Sequence, residues 1–133
     1  MQQPDSPAAS QELPRGLVLL VDDDVMVLRA LARLLKDLPA EVHQRANAAE
    51  ALALIESGLA PEVVISDNAL GRGMSGLQLL ASVHRCRPGA WLALHTGDAT
   101  VSFQLEPGAV LTVFAKPVPT DTLRRFVAMG LGR

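Results

Sequence analysis

The sequence holds a single cysteine, Cys86, no tyrosine, and aromatic residues at only 3%. One thiol cannot close an internal disulfide, so the reducing cytoplasm is the expected setting. No charged-then-apolar leader opens the chain, which points the same way. Long hydrophobic runs are also missing. The longest fall far short of the roughly 20 residues that cross a bilayer, so no membrane partner is expected. Neither sign of charge prevails: Lys+Arg 12 against Asp+Glu 14 leaves a formal net charge of -2. That provides no field to gather nucleic acid. With so few rings, a core must be aliphatic. At 133 residues the chain is long enough to bury one.

What is present is alternation. Residues 1–15, MQQPDSPAASQELPR, have almost nothing to bury and read as a flexible tail or linker, with a single domain over 16–133. From Gly16 onward, apolar runs of strand length alternate with helical periods. The strands are VLLV at 18–21, EVHQRA at 41–46, VVIS at 63–66, WLALHT at 91–96 and VLTVFA at 110–115. Helices are predicted at about 25–38, stopped by Pro39, and at 48–57, 76–86 and from 120, with Asn47, Ser75 and Thr120 placed as N-caps. Residues 98–107 favour at most a short helix, because β-branched residues crowd them and a proline ends them. The runs VLLV, VVIS and WLAL lack polar alternation, the mark of strands covered on both faces of a parallel sheet. Such strands joined by right-handed crossovers form a doubly wound (βα)5 three-layer sandwich.

In that architecture ligands bind beyond the carboxyl ends of the strands. The residues standing there are Asp22, Asp23 and Asp24, then Asp67, Thr96 and Lys116. Two carboxylates about 5 Å apart repel by roughly 3 kcal/mol at an effective dielectric near 20. Positive charge must therefore sit among them. Lys116 supplies some of it, and an all-oxygen cluster with no adjacent Cys or His selects Mg²⁺, or Mn²⁺, for the rest. Carboxylates, a hard cation, a hydroxyl and an ammonium around one point make a phosphoryl-transfer kit with an aspartate as nucleophile.

Across about residues 16–130, the apolar run ending in Asp22-Asp23, the run ending in Asp67, Thr96-Gly97 and Lys116-Pro117 resemble the receiver domain of two-component response regulators. The resemblance implies a flavodoxin-like parallel sheet of order 2-1-3-4-5. It implies that Asp22, Asp23 and the backbone carbonyl of Ala69 hold Mg²⁺ with Asp67. Asp67 would accept a phosphoryl group from a phosphohistidine of a histidine kinase or phosphotransfer protein. Thr96 would contact the phosphoryl oxygens, Lys116 would pair with the Asp67 carboxylate and later with the phosphoryl, and the Lys116-Pro117 bond would be cis. Such a module turns over no external substrate and catalyses at most its own phosphorylation and dephosphorylation, as a monomer or weak homodimer.

Three departures stand out. The loop from Asp67 to Gly76, DNALGRGMSG, is one residue longer than the common form and lacks its proline, as in receivers of hybrid histidine kinases. The aromatic expected three places before the lysine is Val113, with Phe114 next to it. The segment between Thr96 and Lys116 is slightly short and poor in helix formers. After about residue 130 nothing remains to form an output domain, so the chain is expected to act alone or as part of a larger kinase.

Plainer readings apply to the remaining residues. Asp24 reads as a helix N-terminal acid. His43, His84 and His95 share no metal-ligand spacing and read as surface or lightly packed residues. Cys86 reads as a core thiol and Arg124-Arg125 as a solvated face. Gly71, Gly73 and Gly76 make no nucleotide loop, because no GK[ST] follows. Two other functions compete. One is a degenerate receiver acting as a phosphorylation-independent interaction module. The other is a haloacid-dehalogenase-type phosphatase with Asp22 as nucleophile and Asp24 as acid.

Overall fold

A computed structural model of the chain describes residues 16–98 and 111–132. The tail expected at 1–15 and the segment expected to be helix-poor at 98–107 therefore lie outside the described residues, apart from Asp98. Strands β1 (Gly16–Val21), β2 (Ala40–Arg45), β3 (Val63–Ser66), β4 (Trp91–Thr96) and β5 (Thr112–Ala115) form one parallel sheet in the order β2-β1-β3-β4-β5. The helices among the described residues are α1 (Val25–Leu34), α2 (Ala48–Glu56), α3 (Gly76–Cys86) and α4 (Thr120–Gly130). The expected fold class holds.

The period of two along each strand divides the core into two layers. Val18, Leu20, Val63, Ile65 and Ala93 pack on one face with Leu28 and Leu31 of α1 and Leu123 and Val127 of α4. Leu19, Val21, Val64, Leu92 and Leu94 pack on the other with Ala48 and Ala51 of α2 and Leu79, Leu80 and Val83 of α3. Both faces of the central strands are thus covered, which is why their sequences show no polar alternation.

Local chemistry fixes the helix ends, and it corrects four expectations. Helix α1 stops at Leu34 and not near 38. Leu35 N–H donates to the Ala32 carbonyl at 3.1 Å and Lys36 N–H to the Arg33 carbonyl at 3.4 Å, and the half-buried Arg124 donates to the Leu34 carbonyl at 2.6 Å. Arg124 is therefore not simply a solvated residue: it satisfies a carbonyl that the helix end leaves open. Thr120 is not an N-cap. Pro119 holds that position in extended backbone, with no side-chain bond to the first turn. Cys86 is exposed, since it is the last residue of α3 and the chain leaves through exposed Arg87, Pro88 and Gly89.

Asn47 and Ser75 do cap their helices, accepting from Glu50 N–H at 2.8 Å and Gln78 N–H at 3.1 Å. Gln78 answers by accepting from Ser75 N–H at 2.9 Å, completing a capping box. Ser75→Ala is expected to lower the unfolding free energy by about 1 kcal/mol. A urea unfolding curve with an unchanged slope and a lower midpoint is the measurement that checks it.

Candidate functional site

Each candidate functional side chain sits just past, or on the last residue of, a strand; β1 and β3 end level with each other, and β4 and β5 end level two residues further on. Val21 of β1 is in register with Ser66 of β3, Ser66 with Leu94 of β4, and Thr96 of β4 with Ala115 of β5. The backbone ladder then continues one step further. Asp22 N–H donates to Arg45 O at 3.2 Å, Asp67 N–H to Val21 O at 2.9 Å, and Lys116 N–H to Thr96 O at 2.9 Å. Residues separated by up to 94 positions are delivered to one edge by hydrogen bonds of the sheet itself.

Carboxylate oxygens of Asp22, Asp23 and Asp67 lie within 4.8 Å of one another. Asp22 is 1% exposed and Asp67 7%, while Asp23 is open to solvent. Lys116 Nζ stands 3.1 Å from Asp22 Oδ2 and 3.5 Å from Asp67 Oδ2, so its closer partner is Asp22. Burial raises the Asp67 pKa, and the Asp22 charge raises it further; Lys116 and the backbone amide of Ala69 offset part of this. Burial works against the Lys116 ammonium, but its bonds to Asp22 and Asp67 outweigh that and hold its pKa above the usual lysine value. One ammonium thus leaves the Asp67 carboxylate still disfavoured as an anion. An oxygen-only cluster with surplus negative charge and one exposed member fits a small hard divalent cation.

Thr96 is buried at the same edge, and its Oγ1 accepts from Asp98 N–H at 3.2 Å. Ala69 touches the cluster through its amide on the Asp67 carboxylate. The Lys116-Pro117 bond is cis. Asp24 is the N-cap of α1, accepting from Met26 N–H at 2.9 Å, and its own N–H donates to Asp22 Oδ1 at 2.9 Å.

Asn68 ties the end of β3 to α3. Its carbonyl takes Gly76 N–H at 2.9 Å and its side-chain oxygen takes Leu77 N–H at 3.0 Å. With Ser75 on Gln78, the first three helical N–H groups all have acceptors. Before that junction the long loop turns at Gly71 and Gly73, whose φ values of +79° and +87° suit glycine.

Val113 and Phe114 point to opposite faces of the sheet. Val113 packs in the layer of α2 and α3. Phe114 packs with α1 and α4, its ring edge-on to Phe126 at 5.3 Å. Phe114 therefore does not replace the missing aromatic.

At this edge the structure corrects one further expectation. His95 is not on the surface but 4% exposed, and its Nε2 accepts from Val118 N–H at 3.3 Å. The signal was available, since WLALHT reads as a strand covered on both faces, and its sixth residue already belonged to the site.

The family model of the response regulator receiver domain matches residues 18–128. A response regulator receiver domain protein, CheY-like, from Methanospirillum hungatei JF-1 is 31% identical, with 90% of this chain and 95% of that chain covered at a TM-score of 0.78. The signal receiver domain of an HD domain-containing protein from Pseudomonas fluorescens Pf-5 is 30% identical, with 90% and 96% covered at a TM-score of 0.77. The BeF3-activated DrrB receiver domain is 25% identical, with 90% and 100% covered at a TM-score of 0.72. A search of curated proteins returns no match.

Proposed function

Because the chain belongs to the response regulator receiver domain family, we propose that it is a two-component phosphoacceptor whose acceptor is Asp67. An Asp67 oxygen attacks the phosphorus of a phosphohistidine on a histidine kinase or phosphotransfer protein. The P–N bond breaks and the imidazole leaves with its electron pair. The observation that carries this reading is the convergence of Asp22, Asp23 and Asp67 within 4.8 Å beside Lys116.

Asp22, Asp23 and Asp67, with the carbonyl of Ala69, would hold Mg²⁺ or Mn²⁺. Such an ion, when bound, neutralises charge on the transferring oxygens. Lys116 draws the Asp67 carboxylate into place and faces the developing charge on the other side. Thr96 donates its hydroxyl to a phosphoryl oxygen. Its Oγ1 can keep the Asp98 N–H while it donates, so movement of the hydroxyl toward the phosphoryl carries that N–H with it. That movement shifts the backbone after β4 and starts the conformational signal without an aromatic at Val113. The setting is cytoplasmic, and among the described residues no helix is long and apolar enough to cross a membrane.

Asp24, which a dehalogenase-type phosphatase would need as general acid, is engaged as the α1 cap. The experiment is incubation with acetyl phosphate and Mg²⁺, followed by intact mass. Wild type is expected to gain one phosphoryl group, and Asp67→Asn, or wild type in chelator, none. An unmodified wild type overturns the reading in favour of a phosphorylation-independent interaction module. Steady phosphate release from a monoester, lost in Asp22→Asn and kept in Asp67→Asn, overturns it in favour of the phosphatase.

A further inference from the structure

His95 lies one residue before Thr96, on the α1 and α4 side of β4, since Ala93 packs in that layer and Leu94 in the other. Its Nε2 accepts from Val118 N–H at 3.3 Å, and its Nδ1 is buried with no hydrogen-bond partner among the described residues. An accepting Nε2 places the proton of the neutral ring on Nδ1. Burial, and after it the Lys116 charge, favour that neutral ring by lowering its pKa. The side chain therefore hides an unsatisfied N–H, a cost that an aliphatic residue in its place would not carry. What the imidazole adds there is an acceptor.

The sequence Lys116-Pro117-Val118-Pro119 explains why an acceptor is needed. Neither proline has an N–H, so Val118 carries the one backbone donor of residues 117–119, and Val118 is itself buried. Lys116 N–H is already bound to Thr96 O. Two adjacent residues of β4, one through its backbone and one through its ring, hold the loop from which the Lys116 side chain springs. We propose that His95 is a positioning residue, which through Val118 sets Lys116 Nζ in its place between Asp22 and Asp67. The inference rests on the phosphoacceptor reading of the site.

The test compares phosphoryl uptake from acetyl phosphate and Mg²⁺ by wild type, His95→Leu and His95→Gln, alone and with Lys116→Ala. A ring lost without its acceptor is expected to slow uptake about tenfold in His95→Leu, since a displacement of about 1 Å costs rates of this order or more. His95→Gln, whose side-chain oxygen can take the Val118 N–H, is expected to retain most of the wild-type rate. With Lys116→Ala in place, His95→Leu is expected to have no further effect. An equal slowing in that background, or wild-type uptake by His95→Leu, overturns the role of His95. No uptake by wild type overturns the acceptor reading itself. Should His95→Leu fail to fold, NMR of the wild type decides. A scalar coupling across the hydrogen bond between Val118 N and His95 Nε2 supports the proposal, and its absence overturns it.

Discussion

Lys116→Ala is expected to lower the unfolding free energy of the metal-free protein by about 2 kcal/mol, and Asp67→Asn to raise it by on the order of 1 kcal/mol. The two substitutions act on one cluster in opposite directions. Asp22 is almost wholly buried, and Lys116 is its ion-pair partner at 3.1 Å. Removing one member of a buried pair costs roughly 3–5 kcal/mol. The Lys116 side chain keeps 27% exposure, which screens the pair and reduces that figure.

Asp67 is the opposite case. Burial and the Asp22 charge raise its pKa above the ordinary carboxylate value in spite of Lys116. An acid with a raised folded pKa binds its proton more tightly in the fold than in the open chain. Its penalty is therefore absent below the ordinary carboxylate value and develops as pH climbs from there through the raised folded value. A carboxamide carries no such penalty. The Lys116 contribution has the other sign: its raised pKa makes it complete at neutral pH and lost only as pH rises through the folded value. Urea unfolding at neutral pH in chelator measures both differences. Millimolar Mg²⁺, binding only the folded state, is expected to stabilise wild type more than Asp67→Asn and so narrow their gap. If Asp67→Asn is less stable than wild type in chelator, the electrostatic account of the cluster is wrong.

How far the sequence shows this site depends on which physical signal each residue leaves. Asp22, Asp67, Thr96 and Lys116 were legible because an apolar strand ending in a polar residue is a local pattern, and the doubly wound topology brings strand ends together. The capping roles of Asp24, Asn47 and Ser75 were legible for the same local reason. Cys86 failed because helical period marks a face but not where that face runs out of partner. Arg124 and His95 failed because their roles belong to distant backbone groups, the Leu34 carbonyl and the Val118 N–H, whose need for a partner is invisible in a linear reading. Lys116 lying closer to Asp22 than to Asp67 is a matter of a few tenths of an ångström that no pattern encodes.

Gly76→Ala is expected to cost about 3 kcal/mol, the upper end of what overpacking usually costs, and to slow phosphoryl uptake by Asp67 as well. A Cβ at that position would collide with the Asp67 carbonyl oxygen, and would stand 2.7 Å from its carbonyl carbon and 2.8 Å from Asn68 Cα. All of these are backbone atoms, so no side-chain rotation relieves the collision. The helix start cannot simply withdraw either, because Asn68 holds Gly76 N–H and Leu77 N–H, and Ser66 Oγ donates to the same Asp67 carbonyl at 2.8 Å. The gain of up to about 1 kcal/mol in helix propensity from glycine to alanine is too small to compensate. Gly71→Ala is the contrasting case. Its φ of +79° makes alanine strained, but no atom of the described residues lies within 4 Å of the added carbon. That change is expected to cost about 1–2 kcal/mol and to leave phosphoryl uptake at the wild-type rate. Unfolding midpoints and uptake rates measured on the two variants separate strain in a remote turn from pressure on the acceptor. Equal uptake by both would mean that α3 and the Asp67 backbone are not coupled as the contacts at Gly76 indicate.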